Sequence, residues 1–314
     1  MDTDTLIDVQ HLTRFYGTHR AVHDLSFQVR RGEVLGFLGP NGAGKSTTMQ
    51  MITGNLAPSE GRVLINGIDL LGEPLQAKAA LGYLPEQPPV YRELTVDEYL
   101  TYCARLNRIP GNRVHGAVEA ARARCGLTDV GRRLIGNLSK GYQQRVGIAQ
   151  AIIHQPAVVV LDEPTVGLDP IQIREIRSLI RELSAEHSVI LSTHILPEVQ
   201  ATCDRVQIIN QGELVLTDSI DGLTRRMQHA ALRVVLRFPP AVDKLHAIDG
   251  VQEVELLEEG RFRLHHAPEV NPAEAVAAAA VQHGWGLLEL TPEHASLEDI
   301  FVQLTRNDVA EEAA

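Results

Sequence analysis

The stretch that most constrains this chain is Gly39-Pro40-Asn41-Gly42-Ala43-Gly44-Lys45-Ser46, followed by Thr47. It fits G-x-x-x-x-G-K-[ST] at every fixed position. An apolar run, Val34-Leu35-Gly36-Phe37-Leu38, leads in, and a helical pattern over 45–52 leads out and stops at Gly54. That strand–loop–helix setting is the context a phosphate-binding loop requires. A triphosphate is a dense anion that needs many donors at close range. Glycines at 39, 42 and 44 let the backbone curl so that several N–H groups point inward. The helix that follows offers a partly positive N-terminus with unpaired N–H groups. Lys45 suits β- and γ-phosphate oxygens, and Ser46 suits Mg2+.

The rest of the chain builds around this loop. Its 314 residues allow about two domains. A net charge of −11 argues against a general nucleic-acid binder. Cys103, Cys125 and Cys203 are scattered and odd in number, which disfavours both a disulfide framework and a zinc site. The acidic start at residues 1–5 does not read as a signal peptide, and no run of about 18 apolar residues exists to span a membrane. Any membrane role has to come through a partner.

Short strands are expected at 6–10 and 21–29, forming with 62–65 a small antiparallel sheet around the P-loop strand; Asn66-Gly67 is a hairpin signal. A strand at 81–84 runs into Pro85-Glu86-Gln87-Pro88-Pro89, a stiff extended loop. Helices are expected at 95–106, with Thr95 and Glu98 as a capping box, and at 113–125. Ser139 is a suitable N-cap for a helix reaching about His154. The apolar run 157–161 reads as a buried parallel strand ending in Asp162-Glu163-Pro164. A helix over 170–186 and a strand over 189–191, ending in Ser192-Thr193-His194, follow. Strands at 206–210 and 214–217 complete an α/β core with a parallel sheet. Beyond residue 229 the order β-α-β-β-α-β, with a closing helix at 297–305, predicts a small α+β ferredoxin-like domain. That domain carries no catalytic constellation. His265-His266 within it reads as solvated.

Six features thus stand in order: Tyr16, the P-loop, Gln87, Leu138-Ser139-Lys140-Gly141-Tyr142-Gln143-Gln144-Arg145, Asp162-Glu163 and His194. Together they resemble the nucleotide-binding domain of an ABC transporter, over about residues 5–220. The resemblance implies a P-loop ATPase fold with a parallel sheet core, an antiparallel β subdomain and a helical subdomain. It places an ATP-binding domain at 1–225, an accessory domain at 230–306 and a disordered tail at 307–314.

The resemblance also implies roles. Residues Gly39, Pro40, Asn41, Gly42, Ala43, Gly44, Lys45, Ser46 and Thr47 cradle ATP. Tyr16 stacks on adenine, which gives affinity with little selectivity. Ser46, Gln87 and Asp162 hold Mg2+, Glu163 is the general base, and His194 reads the γ-phosphate; Lys45 and these two are the catalytic set. Ser139, Gly141 and Asp169 belong to the signature and D-loop motifs, which contact the ATP of the opposite subunit. Lys140, Tyr142 and Val166 depart from the residues usual in those motifs, and Lys140 either points outward or adds charge near the nucleotide.

One signature per chain implies a head-to-tail homodimer. The expected partners are ATP, a second copy and a separate transmembrane permease, with no nucleic acid. The expected place is the cytoplasmic face of the membrane. Tyr91 and Tyr99 are either permease contacts or packing residues. The signature variant, Tyr83-Leu84-Pro85-Glu86-Gln87 and Leu297-Glu298-Asp299-Ile300-Phe301 resemble the ABC-2 type exporter class. An importer ATPase with a regulatory C-terminal domain, or an ATP-controlled scaffold, is the competing reading. A DNA-repair ATPase would carry a long coiled coil, which is absent here.

Overall fold

The computed structural model describes residues 4–226, 230–267 and 270–294. Two compact units divide between Ile220 and Asp221.

The first unit opens with β1 (Thr5–Tyr16) and β2 (His19–Arg30), followed by β3 (Val34–Leu38), α1 (Lys45–Ile52), β4 (Glu60–Ile65) and β5 (Ile68–Asp69). β2-β1-β4-β5 form an antiparallel sheet, and Asn66-Gly67 closes the β4–β5 hairpin. β3 is not part of that sheet. β1 and β2 are longer than the alternation predicts. Their register shifts at bulges, and His11 and Asp24 take φ of 52° and 47°. A bulge breaks the period-2 pattern, so sequence alternation stops short where pairing continues.

Next come α2 (Pro74–Ala79), β6 (Leu81–Leu84), α3 (Val96–Leu106), α4 (Gly111–Arg124) and α5 (Lys140–Ile152). Thr95 and Glu98 do form the reciprocal capping box: the Thr95 N–H donates to Glu98 at 2.8 Å, and the Glu98 N–H donates to the Thr95 hydroxyl at 3.3 Å. Tyr99 is buried and donates its hydroxyl to the Pro89 carbonyl at 3.0 Å, so it packs the helical insertion; Tyr91 is half exposed against it.

The unit closes with β7 (Val158–Asp162), α6 (Pro170–Leu183), β8 (Ser188–Thr193), α7 (Leu196–Thr202), β9 (Arg205–Asn210), β10 (Glu213–Ser219) and α8 (Ile220–Arg226). The second sheet has the order β10-β9-β3-β8-β7-β6 and is parallel except for β10. Every residue of β3, β7 and β8 is buried. Both faces are covered, which is why these strands read as continuous apolar runs. The antiparallel sheet packs on one face through Ile7, Val29, Phe37, Val160 and Ile190. α6 ends at Leu183 rather than at Glu186, and buries Ile176, Leu179, Ile180 and Leu183 as one helical stripe.

The second unit contains β11 (Ala230–Leu236), α9 (Val242–His246), β12 (Val251–Glu258), β13 (Arg261–His266), α10 (Ala273–Gln282) and β14 (Leu287–His294). Its antiparallel sheet has the order β12-β13-β11-β14. Leu232, Val234, Phe262, Leu264, Leu245, Val276 and Trp285 form its core. His266 belongs to the buried side of β13, with Nδ1 2.9 Å from the Ala267 carbonyl, whereas His265 is partly exposed beside Glu255. The expectation that both histidines are solvated is therefore wrong for His266, because alternation along β13 turns neighbours to opposite faces. The predicted closing helix at 297–305 lies outside the described residues.

Candidate active site

Three parallel strands end side by side. In register, Leu38 of β3 lies opposite Thr193 of β8, and Asp162 of β7 lies opposite Ser192. The next residues along the chain are Gly39, Glu163 and His194. Ligands of open α/β sheets bind outside the carboxyl ends of the strands. Here those ends open into a cleft of about 520 Å³ lined by Tyr16, His19, Ala21, Asn41, Gly42, Gly44, Lys45, Ser46, Thr47, Glu86, Glu163, Val166 and His194.

The P-loop geometry follows from its glycines. Gly44 caps α1 at φ 100°, and a Cβ there would stand 2.6 Å from the Ala21 carbonyl. Gly39 is equally closed: a Cβ would run into the Ile209 carbonyl. Lys45 is buried, and its ammonium donates to the Gly39 and Pro40 carbonyls at 2.8 and 3.1 Å. It also lies 3.5 Å from Glu163 Oε1.

Glu163 itself is buried and sits at φ 49°, in the left-handed region that side-chain-bearing residues seldom occupy. Its N–H donates to the Ser192 carbonyl at 2.8 Å. Both carboxylate oxygens lie 2.9 Å from His194 Nδ1. A buried acid with a cation on one side and an imidazole on the other is held in a defined orientation, with no freedom to turn to solvent.

Asp162 is 2% exposed. It accepts the Ser192 hydroxyl at 2.7 Å, and the Ser46 hydroxyl also bonds to it. Burial pushes its carboxyl above the usual range, and the Glu163 charge pushes the same way, against the two hydroxyls and Lys45. A bound cation would relieve that cost. Ser46 and Asp162 supply the hard oxygen donors that Mg2+ prefers, with room for phosphate oxygens and water. Among the described residues no cluster of three or more His, Cys, Asp or Glu forms a closed metal cage.

Tyr16 ends β1, is 46% exposed, and has the Arg14 guanidinium 5.0 Å from its ring centroid. One face is thus occupied by a cation, a favourable arrangement for a π-system.

Other residues singled out in the sequence lie elsewhere. Gln87 is exposed and does not line the cleft; its neighbour Glu86 does. Ser139 caps α5 by accepting the Tyr142 N–H, and Asp169 caps α6 by accepting the Ile171 and Gln172 N–H groups at 3.0 and 2.9 Å. Gly141 seats α5 against Gln172, whose side chain would lie 2.7 Å from a Cβ there. None of the three lines the cleft. Lys140 reaches the backbone of Gly167, so its ammonium faces the D-loop of its own chain. His19, Ala21 and Glu86 line the cleft without having been anticipated, and so does Val166, singled out in the sequence only as a departure from the D-loop pattern. His19 and Ala21 come from the start of β2, which approaches the P-loop only through tertiary packing, so no local pattern marks them.

Cleft and fold define a P-loop nucleoside triphosphatase. The ABC transporter family model matches residues 22–166. The bacitracin transport ATP-binding protein BcrA of Bacillus licheniformis is 33% identical over 302 residues, covering 96% of this chain and 97% of its own. The linearmycin resistance ATP-binding protein LnrL of Bacillus subtilis (strain 168) is 30% identical over 308 residues, covering 96% and 98%. A solved ATP-binding subunit of an ABC transporter superimposes with a TM-score of 0.64 at 32% identity, covering 70% of this chain and 92% of that one. The chain belongs to the ABC transporter ATP-binding proteins. It is an ATP-hydrolysing subunit, and such subunits work with transmembrane permease partners. Among the described residues no helix is long and apolar enough to cross a membrane.

Proposed function

We propose that this chain is the motor of an ABC-2 type exporter, closing as a head-to-tail homodimer over two ATP molecules at the inner face of a membrane. The observation that carries the reading is the convergence of Lys45, Glu163 and His194 within hydrogen-bond or ion-pair reach. Glu163 takes a proton from water, and His194 holds its carboxylate in line. Lys45, together with the inward N–H groups of the P-loop, stabilises charge on the phosphates. Ser46 and Asp162 would hold Mg2+; Gln87, expected beside them, stands outside the cleft. When bound, the ion neutralises phosphate charge and orients the oxygens.

The dimer reading is supported by what the cleft lacks. Ser139, Gly141 and Asp169 do not line it, while Ser139 and Asp169 are exposed. A second copy would bring the N-terminus of its α5 to the open side of the phosphates, where a helix N-terminus suits an anion. The exporter reading is supported by relatives named for bacitracin transport and linearmycin resistance.

Glu163→Gln should lower ATP turnover at least about a hundredfold, the usual worth of a general base. It should also trap an MgATP-bound dimer, and Lys45→Ala should form none. Size-exclusion chromatography showing only monomer for Glu163→Gln with MgATP would overturn the homodimer.

A further inference from the structure

The hydrolytic scheme leaves one buried carboxylate unused. Glu198 lies in the first turn of α7 and is 1% exposed. Its Oε2 accepts the Thr193 hydroxyl at 3.0 Å, and its Oε1 accepts the Thr165 hydroxyl. Among the described residues these hydroxyls are its side-chain partners, and no cation pairs with it. A buried carboxylate without a counter-charge is costly, and a well-packed apolar side chain would serve stability better.

Thr165 lies in the loop after β7, and Thr193 is the last residue of β8. Thr165 is two residues beyond Glu163, and Thr193 immediately precedes His194. β7 and β8 are neighbours in the sheet. Thr193 is fixed further, since its hydroxyl oxygen accepts the Ile195 N–H at 3.1 Å. The Ile195 carbonyl in turn accepts the Glu198 N–H at 3.0 Å. On the other side, the Glu163 carbonyl accepts the Val166 N–H at 3.3 Å, which closes a turn through Thr165. Glu163 meanwhile holds a left-handed backbone, a conformation that persists only where the surroundings over-determine it.

We infer that Glu198 is a positioning residue for hydrolysis. Its two oxygens clamp the loop after Glu163 to the end of β8 before His194, and so hold the 2.9 Å contact between acid and imidazole. Glu198 lines no part of the cleft, so it acts through Glu163 and His194 and not on the nucleotide. The inference rests on reading Glu163 as the general base.

Steady-state ATPase kinetics of the full chain test it. Glu198→Ala should lower kcat about ten- to a hundredfold, the range for a misplaced reacting group, while KM for MgATP stays within about twofold. Glu198→Gln should stay within about threefold of the parent kcat, because an amide can accept from one threonine and donate to the other. In a Glu163→Gln background, Glu198→Ala should cost nothing more, since a residue acting through another is not additive with its loss. Should Glu198→Ala not fold, Thr165→Val removes one donor and carries the same expectation.

Unchanged kcat in Glu198→Ala or Thr165→Val, beside an inactive Glu163→Gln, would overturn the clamp alone. So would losses that multiply in the double variant. A fully active Glu163→Gln would overturn the base assignment and the clamp with it.

Discussion

The two sheets with most to compare are the parallel one around β3 and the antiparallel one of the second unit. β7 is buried at all five positions, whereas β12 buries only Val251 outright. Parallel strands all finish at one edge, so residues from separate parts of the chain meet there; Gly39, Glu163 and His194 are an instance. Antiparallel strands alternate direction, so no edge gathers successive strand ends in that way. The second sheet instead places charge along its strands, as with Arg263 and Glu255 at 3.0 Å. Chemistry collects where parallel strands stop, and the price in stability is concentrated there too.

The sharpest way to break this contrast is to truncate one leucine in each sheet. Leu161 is fully buried in β7, and Leu161→Ala should cost about 2–5 kcal/mol of stability. Leu256 on β12 is 58% exposed, and Leu256→Ala should stay within about 0.5 kcal/mol. Chemical denaturation of both variants measures the gap, and equal losses would refute it.

A middle-sized effect concerns Asp162. Its folded carboxyl is raised above the usual range by burial, so the folded state holds that proton more tightly than the unfolded chain does. Its contribution to stability is therefore intact below the ordinary carboxylate pKa and is lost as pH rises through the raised value. Asp162→Asn should raise the melting temperature of the nucleotide-free chain at pH 7 by about 2–4 °C while abolishing turnover. The gain should fade toward pH 4, and a variant less stable at pH 7 would contradict the assigned cost. The smallest effect belongs to the second sheet: Glu255→Gln should change stability by about 0.5 kcal/mol or less, and by less still in high salt.

Legibility in the sequence follows the same division. The P-loop, the buried strand before Asp162, the Thr95 box and the Ser139 cap are local signals, and each could be read without knowing the fold. The site was readable where chemistry and strand end coincide in one short segment. Glu198 was not, because its role exists only once β7 and β8 lie side by side. α7 itself is seven residues long, too short for a helical period to declare itself. Lys140 was ambiguous for a related reason: its direction depends on where the loop around Gly167 comes to rest.

Gly36, in the middle of the P-loop strand, carries a consequence for how such a motor can change over time. A Cβ there would stand 2.8 Å from Val199 and 2.9 Å from the Cys203 sulfur, so α7 rests almost directly on the backbone of β3. The separation between the strand that presents the phosphate loop and the helix that carries Glu198 is therefore set by bare main chain on the strand side and by the Val199 and Cys203 side chains on the other. Any side chain at position 36 would push α7 away from β3, and with it the carboxylate that α7 carries.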